Sequence, residues 1–238
     1  KLDFVIVNGE NADDSGVGIT KKNTQEFFEA GTDVITSGNH IWDQKETMEF
    51  ISSEKRLLRP ENLIKGSPGL GFGTFNSKNN KKVAVLNLMG NIFMKKCEDV
   101  FETAKKFMQI VKLKRDADFI IVDLHCEITS EKMAMGYFFD GKVTMIVGTH
   151  THVPTSDYRI LEKGTAYQTD IGMCGDYNSV IGMNRDNSLK RFLKDPSGVR
   201  HYPALGEATI SGLMVNADNE TGLAKKVEPI LLVAIWKI

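Results

Sequence analysis

Three runs decide the fold: Phe119-Ile-Ile-Val-Asp-Leu-His125, then Ser130-Glu-Lys-Met-Ala-Met-Gly-Tyr-Phe-Phe139, then Val143-Thr-Met-Ile-Val147 leading into Gly148-Thr-His-Thr-His152. A β-branched strand, a helix and a second strand in this order imply parallel strands joined by a crossover. The same alternation extends upstream. Phe4-Val-Ile-Val7 reads as a strand buried on both faces, Lys21 to Ala30 as a helix ended by Gly31, and Asp33-Val-Ile-Thr36 as a strand. Gln44 to Glu54 reads as a second helix, and Lys82-Val-Ala-Val-Leu-Asn-Leu88 as a strand entered from the polar hairpin tip Lys78 to Lys82. Between Glu98 and Lys114, Val100, Ala104, Phe107 and Val111 fall on one helical face. Downstream, Ala208 to Asn216, the turn Asp218-Asn-Glu-Thr-Gly222 and a long strand Lys225 to Trp236 predict an antiparallel hairpin that closes an α/β fold. No repeat or linker divides residues 1–238, so a single domain is expected.

At 238 residues the chain can bury a core without disulfides or structural metal. Thirty Lys and Arg against 31 Asp and Glu leave a net charge of −1, which argues against a broad footprint for duplex nucleic acid or an anionic membrane. No run approaches the ~20 apolar residues of a membrane span. Cys97, Cys126 and Cys174 are odd in number and lack Cys-x-x-Cys spacing, so free thiols in a reducing cytoplasm are expected.

The polar residues cluster at strand ends. Phe4–Val7 leads to Asn8-Gly-Glu10-Asn11, Val34–Ser37 to Gly38-Asn39-His40, Phe119–Leu124 to His125, and Val143–Val147 to His150 and His152. In parallel α/β sheets, sites form beyond the carboxyl ends of the strands. Four of the five histidines occupy such positions; His201 lies in a polar loop. Any one of them alone reads as a loop residue bonded to backbone. Together with Glu10, Asn11 and Asn39 they form a donor set of imidazole, carboxylate and amide oxygen that suits iron, manganese or zinc. The set is too large for one tetrahedral zinc site and holds no cysteine, which points to a two-metal hydrolytic centre with Glu10 as the natural bridge.

Read in order, Asn8-Gly-Glu-Asn11, Gly38-Asn-His-Ile-Trp-Asp43, Arg59-Pro-Glu-Asn62, His125-Cys-Glu-Ile-Thr-Ser-Glu-Lys132, Gly148-Thr-His-Thr-His-Val153 and Thr169-Asp-Ile-Gly-Met173 span nearly the whole chain. This series resembles the YmdB branch of the calcineurin-like metallophosphoesterases, which contains phosphodiesterases acting on 2′,3′-cyclic nucleotides. The resemblance implies a four-layer α/β/β/α sandwich and homo-oligomers. It also implies a centre of two metal ions, iron or manganese foremost, with zinc or magnesium as alternatives. The branch opens with one more strand, whose Gly-Asp supplies a metal ligand. The numbered chain starts at Lys1, close to the Glu10 strand, so that first strand–helix unit is expected to be absent from it.

Carried over by position, Glu10 bridges the metals, Asn39, His125 and His150 complete one site, and His152, with the Asp of the absent first strand and with Asn11, serves the other. His40 is then the proton donor to the leaving oxygen while a bridging hydroxide attacks phosphorus. Asp43, Glu127, Thr129, Glu131 and Asp170 are candidates to orient the imidazoles. Thr129 or Ser130 could equally cap a helix, with Glu131 at its positive end. Asp123-Leu-His125 imitates an Asp-x-His first motif, but its place after Gly38-Asn-His40 rejects that reading.

Weaker signals read as structure. Gly69-Leu-Gly-Phe-Gly73 lacks the Lys-Ser/Thr of a phosphate loop and reads as a turn. Cys126 reads as a buried inert thiol, Trp42 as either a base platform or packing, and Phe27 and Phe28 as core. The expected activity is hydrolysis of a small cyclic phosphodiester, with no stable nucleic-acid complex and no membrane. The alternatives are a phosphomonoesterase or nuclease with the same centre, or a non-catalytic scaffold.

Overall fold

The computed structural model describes residues 2–233. Its largest sheet has six strands: β3 (Phe72–Asn76), β4 (Lys82–Met89), β5 (Phe119–His125), β6 (Met145–Thr149), β7 (Arg159–Ile160) and β8 (Ala166–Gln168). They lie in the order β3-β4-β5-β6-β8-β7. Strands β4, β5, β6 and β8 are mutually parallel, as the strand–helix alternation predicts, and β3 and β7 pair antiparallel at the edges.

Period-two alternation gives this sheet two different faces. Ala84, Leu86 and Leu88 of β4 and Ile120, Val122 and Leu124 of β5 pack on helices α3 (Val100–Ile110) and α4 (Thr129–Phe139). On the other face, Val83, Val85, Phe119 and Ile121 meet Ile6 and Val34 of a parallel pair, β1 (Ile6–Asn8) and β2 (Val34–Thr36). The alternation therefore puts Asn87, Asp123 and His125 on the side where β1 and β2 end. A third cluster, of Ile19, Ile35, Ile41, Phe50, Ile51 and Leu57, lies beyond β2. It is flanked by α1 (Lys21–Glu29), whose Thr20 and Asn23 form a reciprocal capping box, and by the short α2 (Thr47–Phe50). Phe27, Phe28 and Trp42 are partly buried against it, so Trp42 serves packing.

Some expectations need correction. The helix expected over 44–54 is only α2. Gln44 is instead committed to the 13–17 loop, its amide donating to Asp13, Ser15 and Val17, and the Thr47 hydroxyl donates to the Ile19 carbonyl. The helix expected over 98–114 starts after its cap Asp99 and ends at Ile110. Val111 is extended, so its buried side chain packs beyond the helix. The first strand is half-buried rather than buried on both faces. Helix α4 is entered from Ile128 with no side-chain cap, because Ile128 offers no oxygen; neither Thr129 nor Ser130 serves.

The C-terminal strands β10 (Ala208–Ala217) and β11 (Ala224–Val233) form the expected hairpin, and β9 (Gly175–Asp176) pairs with β10. The expected continuation to Trp236 lies outside the described residues. Helix α5 (Arg185–Phe192), capped by Asn184, had no clear sequence signal. Among the described residues no helix is long and apolar enough to cross a membrane. Cys97, Cys126 and Cys174 are all free.

Candidate metal centre

The carboxyl ends of β1, β2, β5 and β6 deliver four side chains to one point. His125 Nε2 is 2.7 Å from Glu10 Oε2, 3.0 Å from Asn39 Oδ1 and 3.0 Å from His150 Nδ1. The ligating atoms of Glu10, His125 and His150 lie within 4.8 Å of one another. A carboxylate oxygen, an amide oxygen and two imidazole nitrogens are all lone-pair donors. One N–H can satisfy only one of the three partners around His125 Nε2. Such a convergence of acceptors in a mostly buried place is what a cation stabilises.

Backbone geometry makes the approach possible. A Cβ on Gly38 would come within 2.3 Å of the His125 ring, so only glycine lets the ring reach Asn39. A Cβ on Gly148 would fall 1.8 Å from the Thr169 carbonyl. His150 and His152 both sit at positive φ, 98° and 66°, a backbone conformation that β-carbon-bearing residues rarely adopt.

The protonation pattern suits ligation. Glu127 Oε2 lies 3.0 Å from His150 Nε2, so it accepts that N–H and leaves Nδ1 free toward His125. Burial, then the charge of His125, lowers the pKa of His150 and favours the neutral ring. Burial raises the Glu10 carboxyl. The charge of His125 and its hydrogen bond, the His40 amide at 2.8 Å and the charge of His40 outweigh this and lower it to about 2. Glu10 is therefore an anion at neutral pH.

Beside this cluster, His152 Nδ1 donates to the Ile181 carbonyl at 2.8 Å, leaving Nε2 to face Asn11 Nδ2 at 3.2 Å. Asn11 Oδ1 is buried without a partner among the described residues. Glu10, Asn11, His40, Glu127, His150 and His152 all line one cavity of about 340 Å³. His40 Nδ1 is 2.6 Å from Asp43 Oδ2, and Lys95 Nζ reaches both Asp43 (3.5 Å) and the Asn39 carbonyl (2.6 Å).

Three residues expected to orient imidazoles do not touch one. Thr129 is exposed at the start of α4. Glu131 is buried, but it accepts from the Asn91 amide at 2.9 Å and from the Cys126 thiol, anchoring the loop after β4. Asp170 accepts from the Thr151 amide and hydroxyl and pairs with Lys132, so it holds the segment between His150 and His152. Cys126 is buried and burial pushes its thiol far up, as an inert thiol requires. Arg59 and Asn62 bind backbone carbonyls, Asn62 at the end of β4. His201 is exposed and stands apart.

Sequence reasoning missed the support beneath the cluster. Asp123 accepts from Asn8 Nδ2 (2.9 Å), Thr36 Oγ1 (2.5 Å) and Thr149 Oγ1 (2.8 Å), and Thr149 Oγ1 lies 3.0 Å from His125 Nδ1. Its burial raises its pKa. The available signal was the i, i+2 spacing of Asp123 and His125, which puts both on one face of a strand.

The family model described as YmdB-like protein matches residues 1–230. The chain belongs to the YmdB-like family. The 2′,3′-cyclic-nucleotide 2′-phosphodiesterase of Bacillus subtilis is 44% identical over 232 residues, covering 98% of this chain and 86% of that protein. A crystal structure of a phosphatase from Mycoplasma pneumoniae superposes with a TM-score of 0.87 at 39% identity, covering 97% of this chain and 82% of that one. A hypothetical protein of Thermus thermophilus superposes with a TM-score of 0.88 at 36% identity, over 98% and 88% of the two chains. The mixed α/β fold with its central sheet is thus the fold of these family members.

Proposed function

We propose that the protein is a metal-dependent phosphodiesterase whose preferred substrate is a small cyclic phosphodiester of the 2′,3′-cyclic-nucleotide class. The observation that carries this reading is the convergence of Glu10, Asn39, His125 and His150 on one point beside a cavity lined by His40 and His152. The name of the Bacillus subtilis relative supports the phosphodiester, and the enzyme names of the relatives weigh against a non-catalytic scaffold.

Glu10, Asn39, His125 and His150 are the residues to hold one ion; His152 and Asn11, with Glu10 shared, are those to serve a second. Iron and manganese suit this nitrogen and oxygen set best. When bound, such ions supply positive charge for the phosphoryl oxygens and lower the pKa of water. The rest is work for the chain. Asp43 accepts the Nδ1–H of His40 and so fixes Nε2 as the atom that passes a proton to the departing ribose oxygen. Lys95 offsets the charge of Asp43 and steadies the Asn39 carbonyl. Glu127 keeps the proton of His150 on Nε2.

The three stacked apolar clusters support a four-layer α/β/β/α reading of a single domain, with α3 and α4 outside one sheet and α1 and α2 outside the other pair of strands. Three free thiols suit a reducing compartment. A phosphomonoesterase reading has one observation in its favour, the naming of the Mycoplasma pneumoniae relative as a phosphatase. Initial rates of the full-length, Mn²⁺-loaded protein on 2′,3′-cyclic AMP, 3′,5′-cyclic AMP, a monoester and short RNA test the proposal. Highest kcat/KM on 2′,3′-cyclic AMP is expected; a monoester turned over faster contradicts it.

A further inference from the structure

The buried chain Asp123–Thr149–His125 is continuous, and its proton directions can be worked out one by one. Asn8 Oδ1 accepts from the Glu10 amide at 3.1 Å, so Asn8 Nδ2 must be the group that donates to Asp123 Oδ2. Thr36, which is fully buried, donates its hydroxyl to the same oxygen. The other oxygen, Asp123 Oδ1, takes the hydroxyl proton of Thr149. A threonine hydroxyl has a single proton. Once that proton is given to Asp123, Thr149 Oγ1 can only accept from its remaining neighbour, His125 Nδ1 at 3.0 Å.

We infer that Asp123 and Thr149 are positioning residues that hold the Nδ1–H of His125, so that Nε2, which pairs with Glu10 Oε2 in the ion-free protein, is the nitrogen offered to a divalent cation. This rests on the metal-centre reading above. The hydrogen bond made by one ring nitrogen decides which nitrogen is free to ligate. Here a carboxylate acts through an intervening hydroxyl rather than directly. Without it, His125 can hold its proton on Nε2 and donate to Glu10 Oε2, 2.7 Å away, which would occupy both ligand atoms with each other. The fold builds the contact in: parallel pairing of β5 and β6 puts His125 and Thr149 in register as direct partners. Asp123 lies two residues before His125 on the same face, and all three side chains are buried. Asp123 therefore has a role that is neither ligand nor bridge, and it accounts for an Asp-x-His pair that chain order excludes from the family's first motif.

The test uses the full-length protein stripped with a chelator and titrated with Mn²⁺ in a calorimeter, beside urea unfolding of each stripped variant. Thr149→Val keeps the shape of the side chain and removes the hydroxyl. Thr149→Ser keeps the hydroxyl. Asp123→Asn offers an N–H to Thr149, turns that hydroxyl toward His125 and favours the wrong tautomer. Loss of such an outer partner typically weakens metal affinity by about 10–100-fold. The expected order is unsubstituted protein and Thr149→Ser alike, with Thr149→Val and Asp123→Asn weaker by that factor. Equal Mn²⁺ affinity in Thr149→Val overturns the inference, as does failure of Thr149→Ser to restore binding in a folded protein. If Thr149→Val does not fold, Asp123→Asn decides by the same criterion. No Mn²⁺ uptake by the unsubstituted protein overturns the metal-centre reading itself, and the inference with it.

Discussion

Lys132 Nζ lies 2.7 Å from Asp170 Oδ2, and both side chains are only 1% exposed. The pair sits beneath the centre, and Asp170 also binds both the amide and the hydroxyl of Thr151, between two histidines at positive φ. A buried ion pair contributes little net stability, but removing one partner strands a charge at a cost of about 3–5 kcal/mol. Lys132→Met is expected to lose that much in urea unfolding. Lys132→Met combined with Asp170→Leu is expected to recover most of the stability and none of the activity, because Thr151 has lost its acceptor. Recovery of turnover in the double variant contradicts the positioning role.

His40 lines the cavity and its Nδ1 is held by Asp43 at 2.6 Å, while its backbone amide, not its ring, binds Glu10. His40→Ala is expected to keep its metal content while kcat falls by about 10²–10⁴-fold, the range of general acid catalysis. Asp43→Asn, which perturbs only the orienting partner, should lose less. Elemental analysis and steady-state kinetics on the same samples separate the two roles. Unchanged kcat in metal-replete His40→Ala removes His40 from the mechanism.

Gly38 has no tolerance for a methyl group, because the His125 ring occupies the space at 2.3 Å. Gly38→Ala must displace either the ring or the turn that carries Asn39. Overpacking costs about 1–3 kcal/mol, and here the displaced groups are two of the converging side chains. The variant should fold with lowered thermal stability and bind Mn²⁺ much more weakly. Wild-type affinity would contradict the packing argument.

Glu10 sets an acid limit in the ion-free protein. Its folded pKa of about 2 lies below the ordinary 4.5, so the carboxylate contributes stability above about pH 4.5 that is lost as the pH falls toward 2. Glu10→Gln lacks this contribution. The difference in unfolding free energy between the two chelated proteins should therefore shrink steadily from about pH 4.5 to about pH 2. A gap that stays constant over this window would show that Glu10 is not held as an anion by His125 and His40.

Much of the site was legible because parallel strands deliver their carboxyl ends to one edge. Reading Glu10, Asn39, His125 and His150 as strand-end residues was enough to group them, even where strand limits were off by a residue or two. Their supports were not legible in the same way. Thr149 becomes a partner of His125 only through the register of β5 and β6, which sequence pattern does not state. Lys132 and Glu131 look like solvated residues of a first helical turn, and only tertiary packing buries them. The short α2 shows the same effect in the backbone: helical periodicity over 44–54 yields where Gln44 and Thr47 are needed to pin residues 13–19. The spacing of Asp123 and His125 was visible in the sequence, but the place of Asp123 behind Thr149 needed three dimensions.

Anomalous diffraction from crystals of the full-length protein grown with Mn²⁺ shows whether cations sit where these strand ends meet. One peak is expected within bonding reach of Glu10, Asn39, His125 and His150, and a second on the Glu10, Asn11 and His152 side of the same cavity. A map without density at that convergence, from protein that hydrolyses 2′,3′-cyclic AMP, would contradict the metal-centre reading.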